Sequence, residues 1–361
     1  MGKALIAMSG GVDSSVAAYI MKEKGFDCVG MTMKLFQNED IGLSREHSCC
    51  SMDDVEDARN VATSMGMPFY VVNFSDGFKE KVIDKFVYAY EHGQTPNPCI
   101  NCNRYLKFDK LFARAMELGL DYIVTGHYAI IEYNEESGRY ILRKSKDENK
   151  DQSYVLYSLT QNQLAHTLFP LGAMTKPEVR EIAEKNNLVN AKKQESQDIC
   201  FVTTGTYADF MEGYTGKKYP CGDFVDQDGN KLGTHKGIIR YTIGQRKGLG
   251  IASEAPYYVT DVDPENNRVV LSHGDNLHAR GVVADDINLI SVERVTDGMR
   301  VAAKLRYRQK EQPATLYQDG DRIRVIFDEP QRAATLGQAV VIYDGDIVVG
   351  GGTICEVIKD V

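Results

Sequence analysis

Seven residues near the start of the chain, Ser9-Gly10-Gly11-Val12-Asp13-Ser14-Ser15, bring two glycines, three hydroxyls and one carboxylate into a single short stretch. An apolar run over residues 4–8 precedes them and an amphipathic segment over 15–24 follows, which predicts a strand, a glycine turn and a helix. Such a turn aims successive backbone N–H groups and a helix N-terminus at one place, where an anion binds; the obvious anion is a nucleotide phosphate. Gly10 and Gly11 let the backbone come close, Ser9, Ser14 and Ser15 add hydroxyl donors, and Asp13 is placed to hold a divalent cation. The loop is not a Walker A sequence, because no lysine follows the second glycine. Thr215-Gly216-Lys217-Lys218 lacks the first glycine and the final hydroxyl of that motif.

Sulfur supplies the second constellation. Eight cysteines stand at 28, 49, 50, 99, 102, 200, 221 and 355, too sparse for a secreted disulfide scaffold, so clusters point to catalysis or metal. Cys28, Cys221 and Cys355 lie in apolar or turn contexts and read as packing residues. Asn97-Pro98-Cys99-Ile100-Asn101-Cys102-Asn103 falls between two helical patterns, with Pro98 ending the first. Cys102 is expected to open the next helix, where the helix N-terminus and Arg104 or Lys107 would lower its thiol below the usual pKa of about 8.5. Cys200, in Ser196-Gln197-Asp198-Ile199-Cys200-Phe201, is remote in sequence but belongs to the same predicted α/β domain. Three chemistries compete for these thiols: a zinc site completed by Cys49 and Cys50, a dithiol redox pair, and sulfur transfer through a persulfide.

The elements that must position these residues alternate strand and helix. Residues 28–33, 69–74 and 122–125 read as further buried strands. Helical stripes run through Val16, Ala17, Ile20 and Met21, through Val55, Ala58, Ala62 and Met65, and through Phe78, Val82, Ile83, Phe86 and Tyr90, with Ser75 as the last helix's N-cap. Leu111, Phe112, Ala115 and Leu118 mark another, and Thr175-Lys176-Pro177-Glu178 is a capping box. Repeated β-α units of this kind give a parallel sheet whose ligands bind beyond the strands' C-terminal ends. After about residue 203 turn signals such as Asp228-Gly229, Asp263-Pro264, Asp319-Gly320 and Asp344-Gly345 separate short β-branched runs, as in small all-β domains.

Composition sets the frame. At 361 residues, 43% hydrophobic and 26% charged, the chain is a globular protein of two or three domains. No segment reaches the roughly 18 consecutive apolar residues of a membrane helix, and the N-terminus reads as a strand, so a cytoplasmic protein with no membrane partner is expected. A net charge of -9 excludes a general coat of nucleic-acid-binding charge. It leaves room for local basic stripes, one around Arg300, Lys304, Arg306, Arg308 and Lys310 and one around Arg139, Arg143, Lys144, Lys146 and Lys150.

The S-G-G-x-D-S loop resembles the PP-loop of enzymes that split ATP into AMP and pyrophosphate to adenylate an oxygen. Together with Asn97-Pro98-Cys99 and Cys102-Asn103, Thr125-Gly126-His127-Tyr128, Lys150-Asp151-Gln152-Ser153-Tyr154, Ile199-Cys200-Phe201 and the stretch Tyr241-Thr242-Ile243-Gly244-Gln245-Arg246-Lys247-Gly248-Leu249-Gly250, the chain resembles the tRNA-specific 2-thiouridylase family. The resemblance implies an α/β fold: a PP-loop ATP pyrophosphatase domain of the adenine nucleotide alpha hydrolase-like type over residues 1–203, a small central β-rich domain over 204–284, and a C-terminal β-barrel over 285–361 that contacts tRNA. It implies ATP, with Mg2+, as cofactor, and an activity: adenylation of the C2 oxygen of wobble uridine 34 in tRNA, then its replacement by sulfur. ATP would lie against Met8, Ser9, Gly10, Gly11, Val12, Asp13, Ser14, Ser15, Met33 and Gly126.

By the same resemblance Cys200 carries a persulfide drawn from a cysteine desulfurase or sulfur relay protein, and Cys102 attacks it, freeing sulfide or leaving a disulfide. Asn97 and Pro98 lie against the flipped-out base, and His127, Lys150, Asp151, Gln152, Arg306, Tyr307 and Gln338 meet tRNA. Cys99 stands where some family members carry Asp. With it, Cys99, Cys102 and Cys200 offer three thiolates, which is the ligand set of a [4Fe-4S] cluster with one open iron, so persulfide and cluster routes both stay open. The alternatives are another PP-loop adenylating enzyme acting on a different base, and a non-catalytic RNA-binding or sulfur-carrying protein.

Overall fold

The computed structural model describes residues 2–36, 52–193, 199–203 and 205–359, with only the backbone of Met52 and Asp275. Cys49, Cys50, Ser196, Gln197 and Asp198 lie outside the described residues. The chain divides into two compact units: Met1–Val82, Pro98–Thr204 and Asp346–Val348 in the first, and Ile83–Asn97, Gly205–Gly345 and Val349–Val361 in the second.

In the first unit β1 (Lys3–Ala7), β2 (Asp27–Lys34), β3 (Phe69–Asn73), β4 (Tyr122–Val124) and the strand Thr167–Leu168 form a parallel sheet in the order β3-β2-β1-β4-167/168. Ala4, Leu5 and Ile6 are all fully buried, as a strand covered on both faces requires. Ala4, Ile6, Met8 and Val124 share one core with α1 (Val12–Glu23), α2 (Met52–Ser64) and the helix Lys176–Lys185, whereas Leu5 and Ile123 are buried outside that cluster, on the opposite face. The chain leaves β1 for β2 on one side and returns to β4 on the other. The loops after β1 and β4 therefore part at the sheet's switch point, where doubly wound folds bind ligands.

Two local expectations differ. Ser75 lies inside the first helical turn of Ser75–Phe78, and its N–H donates to Asn73 Oδ1 (3.1 Å); Asn73, not Ser75, supplies the side-chain oxygen there. The helix carrying the C-x-x-C cysteines begins at Pro98, not at Cys102: Pro98–Asn101 leads directly into the wider π-type turns Cys102–Leu111 and then Phe112–Glu117. Proline is well suited to a first helical position, since its fixed φ matches the helix and the N–H it lacks would have had no partner.

The second unit holds a four-stranded sheet in the order Tyr258–Asp263, Arg268–Ser272, Gly222–Val225, Lys231–His235, packed around Phe224, Val259, Val269 and Leu271. It also holds a closed barrel of six strands, His278–Leu289, Arg322–Arg332, Gln312–Asp319, Met299–Lys304, Ala339–Asp344 and Ile347–Lys359, the last pairing back onto the first. Alternate residues, including Ala314, Leu316, Ile323, Val325, Phe327, Val340 and Ile342, fill its interior. The barrel's first strand already begins at His278, ahead of residue 285.

Candidate functional site

The loop after β1 turns at Gly10, whose φ of +73° is a left-handed conformation. A Cβ there would lie 2.3 Å from the carbonyl oxygen of Asp54, so both the conformation and the space require glycine. The Ser9 N–H donates to Ser14 Oγ (3.2 Å), and the Ser14 and Ser15 hydroxyls donate to Gly11 O (3.0 and 3.1 Å). Gly11 stands at the N-cap of α1 with no side chain capping the helix. The first-turn N–H groups thus receive no side-chain cap. Asn190, itself 2% exposed, braces the loop from below by donating to Gly10 O (3.0 Å) and Ser15 Oγ (2.7 Å).

Gly126, after β4, completes the crevice. A Cβ on it would stand 2.8 Å from both the Asp13 carbonyl carbon and the Ser14 nitrogen; only glycine lets the two switch-point loops touch. Beside it the buried Tyr128 donates its hydroxyl to Asp13 Oδ1 (2.8 Å), and Lys176 Nζ donates to the same oxygen at 2.7 Å. The Lys176 side chain is only 9% exposed. A lysine that the loop's own sequence lacks is therefore supplied from the first position of the helix Lys176–Lys185, 163 residues away. Sequence reading noted the capping box, in which Glu178 Oε2 accepts the Thr175 N–H (2.6 Å), but read nothing into the lysine inside it. Its neighbours in sequence carry no sign of the loop it meets.

Cys99 and Cys102 stand on successive turns of one helix, Cys99 exposed and Cys102 half-buried. Both thiols are raised in pKa rather than lowered: the protein packed around them desolvates the thiolate, and this outweighs the attraction of the nearby Lys107 ammonium. The expected activation of Cys102 by a helix N-terminus fails because Pro98 starts the helix a turn earlier. Proton loss should accordingly limit any step in which Cys102 attacks. Single-turnover sulfur release is expected to rise about tenfold per pH unit between about pH 7 and 9, and a flat profile in rapid-quench measurements would show that Cys102 is already ionised.

Cys200 is exposed in a turn, anchored by the buried Phe201 against Phe78 (ring centroids 5.8 Å apart). Among the described residues no group of three or more His, Cys, Asp or Glu side chains converges on a metal position. As placed, Cys99, Cys102 and Cys200 do not form a cradle for a cluster.

The residues expected to meet tRNA in the first unit have internal partners. His127 is buried between Phe108 and Phe169, with Nδ1 2.6 Å from Thr125 Oγ1. Burial, aided by Lys107, holds its pKa well below the usual histidine value, so it is neutral at physiological pH. Asp151 shapes its own turn, accepting from Ser145 N (3.0 Å) and Ser153 Oγ (2.7 Å). Gln152 Oε1 accepts the Tyr128 N–H (2.9 Å), and the Lys150 N–H donates to Asp147 O (3.0 Å).

In the second unit Arg306 Nη2 donates to Ala333 O (2.6 Å), Thr335 Oγ1 (3.2 Å) and Ile243 O (3.3 Å), fixing the 241–250 stretch to the barrel. Gln338 Nε2 donates to Thr95 O (2.7 Å), and the Thr95 N–H donates to Leu336 O (3.0 Å). The barrel thereby holds the segment that ends at Asn97, while the neighbouring Tyr307 is exposed. These polar groups shape backbone, a role that their motif positions alone did not reveal.

Three family models cover the chain: a tRNA methyl transferase HUP domain over residues 2–204, a tRNA methyl transferase PRC-barrel domain over 208–273 and an aminomethyltransferase beta-barrel domain over 279–354. The tRNA-specific 2-thiouridylase MnmA of Clostridioides difficile is 52% identical over 98% of this chain and 98% of its own length. The relative named MnmA 1 in a Thermoanaerobacter species is 54% identical over 98% and 97%, and that of Lachnoclostridium phytofermentans is 52% identical over 99% and 100%.

Proposed function

The chain belongs to the tRNA-specific 2-thiouridylase family, and from that premise we propose how its residues divide the work of an ATP-dependent tRNA-uridine 2-sulfurtransferase. The enzyme makes 2-thiouridine in tRNA and binds ATP through its PP-loop domain. A uracil C2 carbonyl is amide-like and its oxygen leaves poorly. Adenylation turns that oxygen into part of AMP and makes C2 open to a sulfur nucleophile.

In this reading the uncapped start of α1 and the backbone from Met8 to Val12 receive the triphosphate, with Ser9, Ser14 and Ser15 fixing the turn. The observation that carries the reading is the Asp13–Lys176 pair at 2.7 Å beside that helix start. A nearly buried ammonium paired with a carboxylate is well placed to turn to a second anion when one arrives, and a triphosphate is such an anion. Asp13 is the hard oxygen donor that would hold a magnesium ion brought by ATP, and that ion would neutralise the departing pyrophosphate. Met33 and Gly126 stand beside the nucleoside.

Cys200, exposed and reachable by a cysteine desulfurase or relay protein, carries the persulfide. The Cys102 thiolate attacks the inner sulfur of Cys200, forming a Cys102–Cys200 disulfide and releasing the outer sulfur with its electron pair to C2. AMP departs from C2, and an external thiol reduces the disulfide. No step is routed through an iron–sulfur cluster, because the three cysteines as described do not fit one. Cys99 lies one turn before Cys102 and raises its neighbour's pKa further. Asn97 and Pro98 border the base, while His127, residues 150–152, Arg306, Tyr307 and Gln338 build the surfaces that meet wobble uridine 34 and its stem. The chain divides functionally into residues 1–203, a central part from 204, and a C-terminal barrel whose first strand begins at His278, and no helix among the described residues is long and apolar enough to cross a membrane.

The test is Lys176→Met. Release of AMP and pyrophosphate in the presence of tRNA should fall by at least about a hundredfold while tRNA binding persists. Unchanged release would remove Lys176 from the adenylation step.

A further inference from the structure

Tyr128 and Gln152 are joined at two points, and Tyr128 meets the nucleotide loop at a third. The Tyr128 N–H donates to Gln152 Oε1 (2.9 Å), the Gln152 N–H donates to Tyr128 O (2.9 Å), and the Tyr128 hydroxyl donates to Asp13 Oδ1 (2.8 Å). Gln152 therefore grips both backbone groups of Tyr128, and the ring, 2% exposed, carries that grip to the carboxylate that holds Lys176. Gln152 caps the 3-10 turn Ser153–Leu156, and Asn103, next to Cys102, donates to Val155 O of that turn (3.1 Å). Asn103 is 3% exposed, and its Oδ1 has no hydrogen-bond partner. One hydrogen-bonded series thus runs from the cysteine helix through the 150–156 segment to the nucleotide loop, all within the first unit.

We propose that Tyr128 and Gln152 are positioning residues that couple tRNA engagement at residues 150–152 to the Asp13–Lys176 pair, so that the nucleotide is held more tightly once tRNA is bound. The inference rests on the functional reading above. The two-state element is the ion pair: Lys176 is either held on Asp13, as here, or released to the triphosphate. When it is held, Asp13 Oδ1 accepts from both Lys176 and Tyr128. On release Tyr128 keeps one hydrogen bond on the carboxylate, and its position sets how easily the ammonium leaves. A shift of Gln152 cannot bypass Tyr128, because both backbone groups move with it. Spatial continuity alone does not establish coupling, so the test reads coupling itself.

Linkage requires that if tRNA tightens nucleotide binding by some factor, the nucleotide tightens tRNA binding by the same factor. Affinity for tRNA is measured with and without α,β-methylene-ATP, and affinity for that analogue with and without tRNA, in wild type, Tyr128→Phe and Gln152→Met. Wild type should show one reciprocal factor of about tenfold. Both variants should bring it to near one, whatever their absolute affinities, since Tyr128→Phe keeps the buried ring and removes only the bond to Asp13. A wild-type factor of one, or a wild-type factor preserved in a folded Tyr128→Phe protein, overturns the proposal. Failure of the functional reading has a different signature: wild-type protein that makes no 2-thiouridine from tRNA, ATP and a sulfur donor.

Discussion

Cys102→Ser and Cys200→Ser proteins are expected to go on releasing pyrophosphate from ATP in the presence of tRNA, leaving AMP bonded to the uridine oxygen, while their yield of 2-thiouridine falls by at least about a thousandfold. The expectation follows from separate placement. The cysteines lie on the 98–117 helix and on an exposed turn, whereas the groups proposed to face the phosphates lie on the β1 loop, the β4 loop and the helix Lys176–Lys185. Serine keeps the volume and removes only the sulfur nucleophile, so adenylation and sulfur transfer come apart. Cys99→Ser offers the contrast. It removes a neighbouring thiol that raises the Cys102 pKa, and its loss should slow thiolation modestly or speed it. Quantifying pyrophosphate and modified nucleoside in the same reactions reads both halves, and full thiolation by Cys200→Ser would dismiss the persulfide assignment.

The second large effect is at Gly10. Alanine there costs about 1–2 kcal/mol for the left-handed conformation alone, and its Cβ would stand 2.3 Å from Asp54 O. The neighbour is backbone, which cannot rotate away, so the loop itself must shift. Calorimetric ATP affinity of Gly10→Ala is expected to fall by more than about a hundredfold, because preorganised backbone donors lose their aim. Gly11→Ala is the control: its φ is -89° and its Cβ would meet only Ser9 Oγ at 3.3 Å, so it should bind ATP within about tenfold of wild type. Equal losses in the two variants would mean that the glycines serve folding in general rather than this one close approach.

Much of this was legible in the sequence wherever the signal was local. The four leading strands, the glycine turn and the Thr175–Glu178 box each sit where hydrophobic period and cap chemistry put them. Long-range consequences were not legible. That Lys176 lands on Asp13, and that Gly126 must be glycine to clear the Asp13 backbone, depends on strand order across the sheet. Pro98 misled in a physical way: proline both stops helices and starts them, and here it starts the one bearing Cys99 and Cys102. The thiol pKa shifts went against expectation because a nearby lysine is visible in sequence and desolvation is not. Arg306, Gln152 and Gln338 read as ligands for RNA, yet each binds backbone groups of this chain.

The central claim is that the phosphate loop prepares one uridine oxygen for departure so that sulfur from these cysteines replaces it. Mass analysis of nucleosides after incubating the full-length protein with unmodified tRNA, ATP and a cysteine desulfurase sulfur source tests it most directly. The account predicts 2-thiouridine at the wobble position, formed only when ATP is present and accompanied by equal AMP. ATP consumption with unmodified uridine, or sulfur appearing at a different base, would contradict it.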